Sequence, residues 1–121
     1  MKKKEEKKVQ GLKIDKLTKE EIFRLKEVLP HFTQPAVVDD VYWIPIPEEL
    51  LTPIQLKHKE CQPHYFAVEV GENFLNFEFL ARTFQRVRCA CMAPATPEQK
   101  LFLMELAKKI FTAAGVEIRR T

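Results

Sequence analysis

Residues 64–92 read HYFAVEVGENFLNFEFLARTFQRVRCACM, an alternation of apolar and polar side chains carried almost unbroken through 29 positions. A period of two is the signature of a half-buried strand, because successive side chains point to opposite faces of a sheet. Phe66, Val68 and Val70 fall on one face of a first strand, with Tyr65, Ala67 and Glu69 on the other. Gly71-Glu72 suits a two-residue hairpin loop, which pairs Val68 with Leu75 and Phe66 with Phe77. A second strand then places Leu75, Phe77, Phe79 and Ala81 on the apolar face. A third strand brings Val87, Cys89 and Cys91 to the same face when the second turn, around Arg82 to Phe84, holds an odd number of residues. The reading is a three-strand meander over 64–92.

Outward from the meander the signals change period. Thr18-Lys19-Glu20-Glu21 is a capping box, in which each side chain satisfies an otherwise orphan backbone donor, and Ile22, Leu25 and Leu29 follow at helical spacing until Pro30. Val37 to Ile46 has the β-branched and aromatic content of a strand, and Pro45 and Pro47 place it at a sheet edge. Residues 47–60 read as broken helix. Thr96-Pro97-Glu98-Gln99 is a second capping box, and Gly115 supplies the cap at the other end of the helix. Leu103, Leu106, Ala107, Ile110, Ala113 and Ala114 form the stripe that covers the sheet, with Leu101, Phe102 and Phe111 outside it. No internal repeat stands out. The expected fold is α+β: a mostly antiparallel sheet of about four strands, the meander plus strand 37–46, packed against a C-terminal and an N-terminal helix.

The chain has 121 residues, of which 45% are hydrophobic and 31% charged, the size of one domain able to bury its own core. Its net charge of +3 sits in the first eight residues, where five Lys face two Glu, leaving fifteen basic and fifteen acidic residues in positions 9–121. We therefore read 1–8 as a charged, solvated tail and 9–121 as a single α+β domain. No apolar run approaches the roughly 20 residues of a membrane span, and no secretory signal precedes the fold, so the expectation is a soluble cytoplasmic protein without membrane partners. Three cysteines without a secretory signal are expected as free thiols. The absence of Ser, the presence of two Asn and the eight Pro resemble thermophile usage.

Three kinds of chemistry are open to these residues. His58, Cys61 and His64 are spaced three apart and carry donors suited to zinc or copper, and Cys89 and Cys91 add two thiols. In the expected register His64 and Cys89 stand on the order of 12 Å apart across the sheet, and thiols two apart on an extended strand diverge. Cys89 and Cys91 are accordingly read as small apolar filler beside Leu75 and Phe77. That leaves His58, Cys61 and His64 as a three-ligand candidate lacking a fourth, and no cofactor is expected. Cys61, with Lys57 and Lys59 nearby, is a candidate activated thiol.

The face opposite the core offers Tyr65, Arg82, Arg86 and Arg88 as a nucleic-acid surface, with Tyr65, Arg86 and Arg88 as the candidate binding residues. Against it, the register sets Glu78 opposite Arg88 and adds Glu69 to that face, an ordinary stabilising pattern of a solvated sheet. Three glycines make no phosphate-cradling loop, and without Ser there is no serine nucleophile. The sequence thus points to a small non-enzymatic binding or regulatory module acting through protein contacts, as a homo-oligomer or with a protein partner. The alternatives are a metal- or thiol-dependent protein built on His58, Cys61 and His64, and a nucleic-acid binder using Arg82, Arg86 and Arg88.

Overall fold

The central strand of the sheet is β3, His64–Val70, and every other strand is placed by reference to it. The computed structural model describes residues 10–34, 40–83 and 89–118. Within them the order is β1 (Gly11–Ile14), α1 (Lys19–Val28), β2 (Val41–Pro45), α2 (Pro53–Lys57), β3, β4 (Leu75–Glu78), β5 (Leu80–Thr83), β6 (Ala93–Pro94) and α3 (Pro97–Ala114). All strand pairs are antiparallel. One edge of β3 takes β2, while the other takes β4 along its C-terminal half and β5 at its N-terminal end. β1 lies beyond β4 and β6 beyond β5. The α+β class and the antiparallel sheet are as expected, with six strands instead of four.

The expected faces are correct and the expected register is shifted by two. Val68 pairs with Phe77 and Val70 with Leu75, because the hairpin turns at Glu72-Asn73 and Gly71 N–H donates to the Phe74 carbonyl at 2.8 Å. A Cβ on Gly71 would stand 2.1 Å from the Phe74 ring, so a larger residue there would push that ring aside. Further along, Tyr65 pairs with Arg82 and His64 with Thr83, so β4 and β5 together carry two more residues than β3 opposes. At this bulge Phe79 bonds to other neighbours, donating to the Gln10 carbonyl and accepting from Ala95 N–H. Two extra residues leave the alternation intact, so Leu75, Phe77, Ala81 and Thr83 all stay buried.

The expected third strand is not formed in its described part. Cys89 to Met92 is a turn, closed by Met92 N–H donating to the Cys89 carbonyl at 3.0 Å, and the next strand is the short β6 on Leu80 and Ala81. Residues 84–88 lie outside the described residues, and so do positions 37–39 of the expected strand 37–46.

Each helix begins in a complete capping box: Thr18 with Glu21, Thr52 with Gln55 and Thr96 with Gln99. α1 runs into a tight turn at Leu29–His31, and α3 ends at Gly115 in the left-handed region at φ 69°, which a residue without Cβ adopts freely. α1 lies against α3, and one core joins Leu25 and Leu29 of α1, Leu103, Ala107 and Ile110 of α3, and Phe66, Val68, Leu75 and Phe77 of the sheet. Phe111, expected outside the helical stripe, is 1% exposed and belongs to this core; Leu101, at 58%, does project outward. Among the described residues no helix is long and apolar enough to cross a membrane.

Candidate metal centre

Two tight turns at the N-terminal end of β3 face one another. In the first, His58 ends α2 and its carbonyl accepts from Cys61 N–H at 3.0 Å, so one turn of chain carries both side chains to the same side. In the second, the turn from Cys89 to Met92 does the same for Cys89 and Cys91. An extended Cys-x-Cys would send its thiols along the strand; the turn makes them converge. The ligand atoms of His58, Cys61, Cys89 and Cys91 all lie within 4.8 Å of one another. His58 Nδ1 is 2.9 Å from Cys89 Sγ, which is 3.6 Å from Cys61 Sγ.

The S···S spacing is close to that of a tetrahedral ion, while the His58–Cys89 contact is shorter than such an edge. Zinc bonds of about 2.3 Å to sulfur and about 2.0 to 2.1 Å to nitrogen imply S···S edges of about 3.8 Å and N···S edges of about 3.5 Å. All three cysteines are free thiols, and a disulfide would need about 2.05 Å between sulfurs. Cys61 and Cys91 are buried, while His58 and Cys89 are half-buried at the rim.

The local electrostatics set one of the three thiols apart from the other two. Cys89 is drawn down to about 6, first by the backbone N–H of Cys91 donating to its sulfur and then by the Cys91 thiol, against the cost of burial. Burial, followed by hydrogen bonding with Cys89, pushes Cys91 up to about 12, and burial likewise raises Cys61. Three sulfurs this close do not all ionise by themselves; a divalent ion bound among them would supply the charge that lets them. In the metal-free chain at neutral pH, iodoacetamide is expected to modify Cys89 well before Cys61 or Cys91, with its rate half-maximal near pH 6, read by peptide mass mapping. The sign follows from the lowered value. Ionisation of Cys89 favours the metal-free fold above the unfolded thiol's range near 8.5, and that contribution fades as pH falls through about 6.

A buried amide network fixes the second turn. Gln55 and Gln99 are fully buried, although each is also the capping residue of a helix start. Gln55 Nε2 donates to the Cys91 carbonyl at 3.0 Å, and Gln99 Nε2 donates to the Leu50 carbonyl and to Gln55 Oε1. Thr83 Oγ1 donates to the Cys61 carbonyl, and Gln62 Nε2 donates to the carbonyls of Gln55 and Leu56 at the end of α2. Both glutamines stand in the same tetrapeptide, Thr-Pro-x-Gln, at 52–55 and 96–99. Each copy marks a helix start in the sequence, and the two glutamines in contact lie 44 residues apart.

Of the three residues singled out by spacing, His58 and Cys61 are in the cluster and His64 is not. Cys89 and Cys91, read as core filler, take its place and complete the set. His64 sits at the start of β3 opposite Thr83, fully buried, with no hydrogen-bond partner for either ring nitrogen among the described residues. Burial and then the nearby His58 hold its pKa down.

On the outer face, Tyr65 is largely buried, donates to Gln34 Oε1 at 3.2 Å and meets Trp43 edge-on. Arg82 is held by two bonds to Glu78, at 2.7 and 3.1 Å, the partner expected for Arg88. Arg86 and Arg88 lie outside the described residues. No protein-family model matches the chain, and no curated protein and no solved structure matches it either.

Proposed function

We propose that this protein is a small zinc-binding module that acts by binding, with a closed Cys3His centre formed by His58, Cys61, Cys89 and Cys91. The convergence of four donors from two turns onto a volume the size of one ion carries this reading. Soft thiolates with one imidazole suit zinc, and four protein donors fill its tetrahedral shell. A full shell leaves no position for a substrate or an activated water, so the centre's role is to hold the turn after α2 against the turn before β6. The outward-facing Phe23 of α1, 61% exposed, and Leu101 of α3 offer apolar surface for the protein contacts of such a module.

The test is composition and spectrum. Protein purified without chelator or polyhistidine tag should contain one zinc per chain by elemental analysis, and cobalt(II) substitution should give thiolate charge-transfer and tetrahedral ligand-field bands. Cys61→Ser and Cys91→Ser should each abolish tight binding. A chain that retains no metal and gives no cobalt band would remove the proposal.

A further inference from the structure

The three thiols of the cluster differ in reach. Cys61 and Cys91 are fully buried and Cys89 is half-buried, so a small solute arriving from solvent meets the Cys89 sulfur first. The Cys61 sulfur, on the facing turn, lies 3.6 Å from it. The sulfurs of a disulfide stand about 2.05 Å apart, so this pair needs only a small closing movement. Cys61 ends the tight turn Lys59–Cys61 and Cys89 begins the turn to Met92, so that movement breaks no strand pairing.

The two turns also decide between the possible partners of Cys89. A bond to Cys91 would close a loop within one turn, whereas a bond to Cys61 joins residues 28 apart and ties the turns to each other. Cross-linking distant points removes more freedom from the unfolded chain, and a fold stabilised in that way favours the bond in return. Cys91 is anchored besides through its carbonyl, which accepts from Gln55 Nε2 at 3.0 Å.

We propose that Cys89 is an oxidation site for small hydroperoxides, resolved by Cys61 into a disulfide that dismantles the zinc centre. The Cys89 sulfur attacks the hydroxyl-bearing oxygen of the peroxide; an S–O bond forms as the O–O bond breaks, and the other oxygen leaves with a proton as water or an alcohol. The Cys61 sulfur then attacks the Cys89 sulfur; an S–S bond forms as the S–O bond breaks, and hydroxide leaves with a proton as water. Two thiols give up two electrons in all, and one peroxide takes them. His58 and Cys91 remain, two donors where a zinc shell takes four, and the ion departs with its charge unchanged. The release of zinc rests on the zinc reading above; the thiol chemistry does not.

The metal-free full chain, treated with a slight excess of hydrogen peroxide, should lose two hydrogens in mass, and peptide mapping without reductant should join Cys61 to Cys89 within one chain. Zinc-loaded chain treated the same way should give up its ion to a chromogenic indicator in step with the disulfide, and dithiothreitol should restore binding. In metal-free Cys61→Ser the reaction should stop at a Cys89 sulfenic acid that dimedone captures, while Cys91→Ser should still yield the bond from Cys61 to Cys89. A disulfide that includes Cys91 or joins two chains, a Cys89 that resists peroxide or passes to sulfinic acid with no disulfide, or zinc retained once the disulfide has formed would each overturn the proposal. A chain that never holds zinc would remove the metal reading, whereas the bond from Cys61 to Cys89 in the metal-free chain stands or falls by itself.

Discussion

Chelation of the proposed zinc ion is expected to lower the melting temperature by about 10 to 20 °C while leaving the chain folded at 25 °C. Free zinc at about 1,000 times its dissociation constant stabilises the native state by about 4 kcal/mol, and a chain of this size moves by several degrees per kcal/mol. The cooperative transition should survive because the hydrophobic core, from Leu25 and Leu29 through Phe66 and Phe77 to Leu103 and Ile110, contains none of the four proposed ligands. A zinc finger, by contrast, has little core of its own and unfolds without its ion. Calorimetric scans before and after treatment with a strong chelator, and again after zinc is restored, measure the shift. Superimposable scans would show that the turns hold each other without an ion.

Phe77→Ala is expected to cost about 3 to 5 kcal/mol, much of the 5 to 15 kcal/mol typical of a whole domain. Phe77 is fully buried and sits in β4 between Leu12 of β1 and Val68 of β3, so three strands lose packing when the ring is removed. Urea denaturation should show a lower midpoint with an unchanged slope. Phe23→Ala, which removes the same ring from the exposed face of α1, should stay within about 0.5 kcal/mol and serves as the matched control. A small effect at Phe77 would mean that the sheet repacks around the gap.

Much of this architecture is legible before any coordinates. Capping residues at Thr18 and Thr96 act through local backbone donors, so sequence alone locates those helix starts. Alternation settles which face of β3 and β4 is buried. It is silent about even shifts, however, because moving the hairpin by two residues or inserting two at Phe79 returns every side chain to its face. That silence explains both the register error and the missed bulge. Cys89-Ala90-Cys91 extends the same alternation, yet its chain turns, held by Gln55 on the Cys91 carbonyl 36 residues away. A contact of that range leaves no local trace, and the cluster was hidden for the same reason.

The four proposed ligands also bracket the hairpin in sequence: His58 and Cys61 come just before β3, and Cys89 and Cys91 follow β5 after a short connection. An ion captured by the unfolded chain would tie together points 28 residues apart, removing the search for the long-range contact that the hairpin ends must otherwise make. Loop-closure entropy rises by only about 0.6 kcal/mol per doubling of length, so most of that cost is met at capture. On the proposed zinc reading, metal availability during synthesis would then set how quickly the sheet nucleates as well as how well it endures.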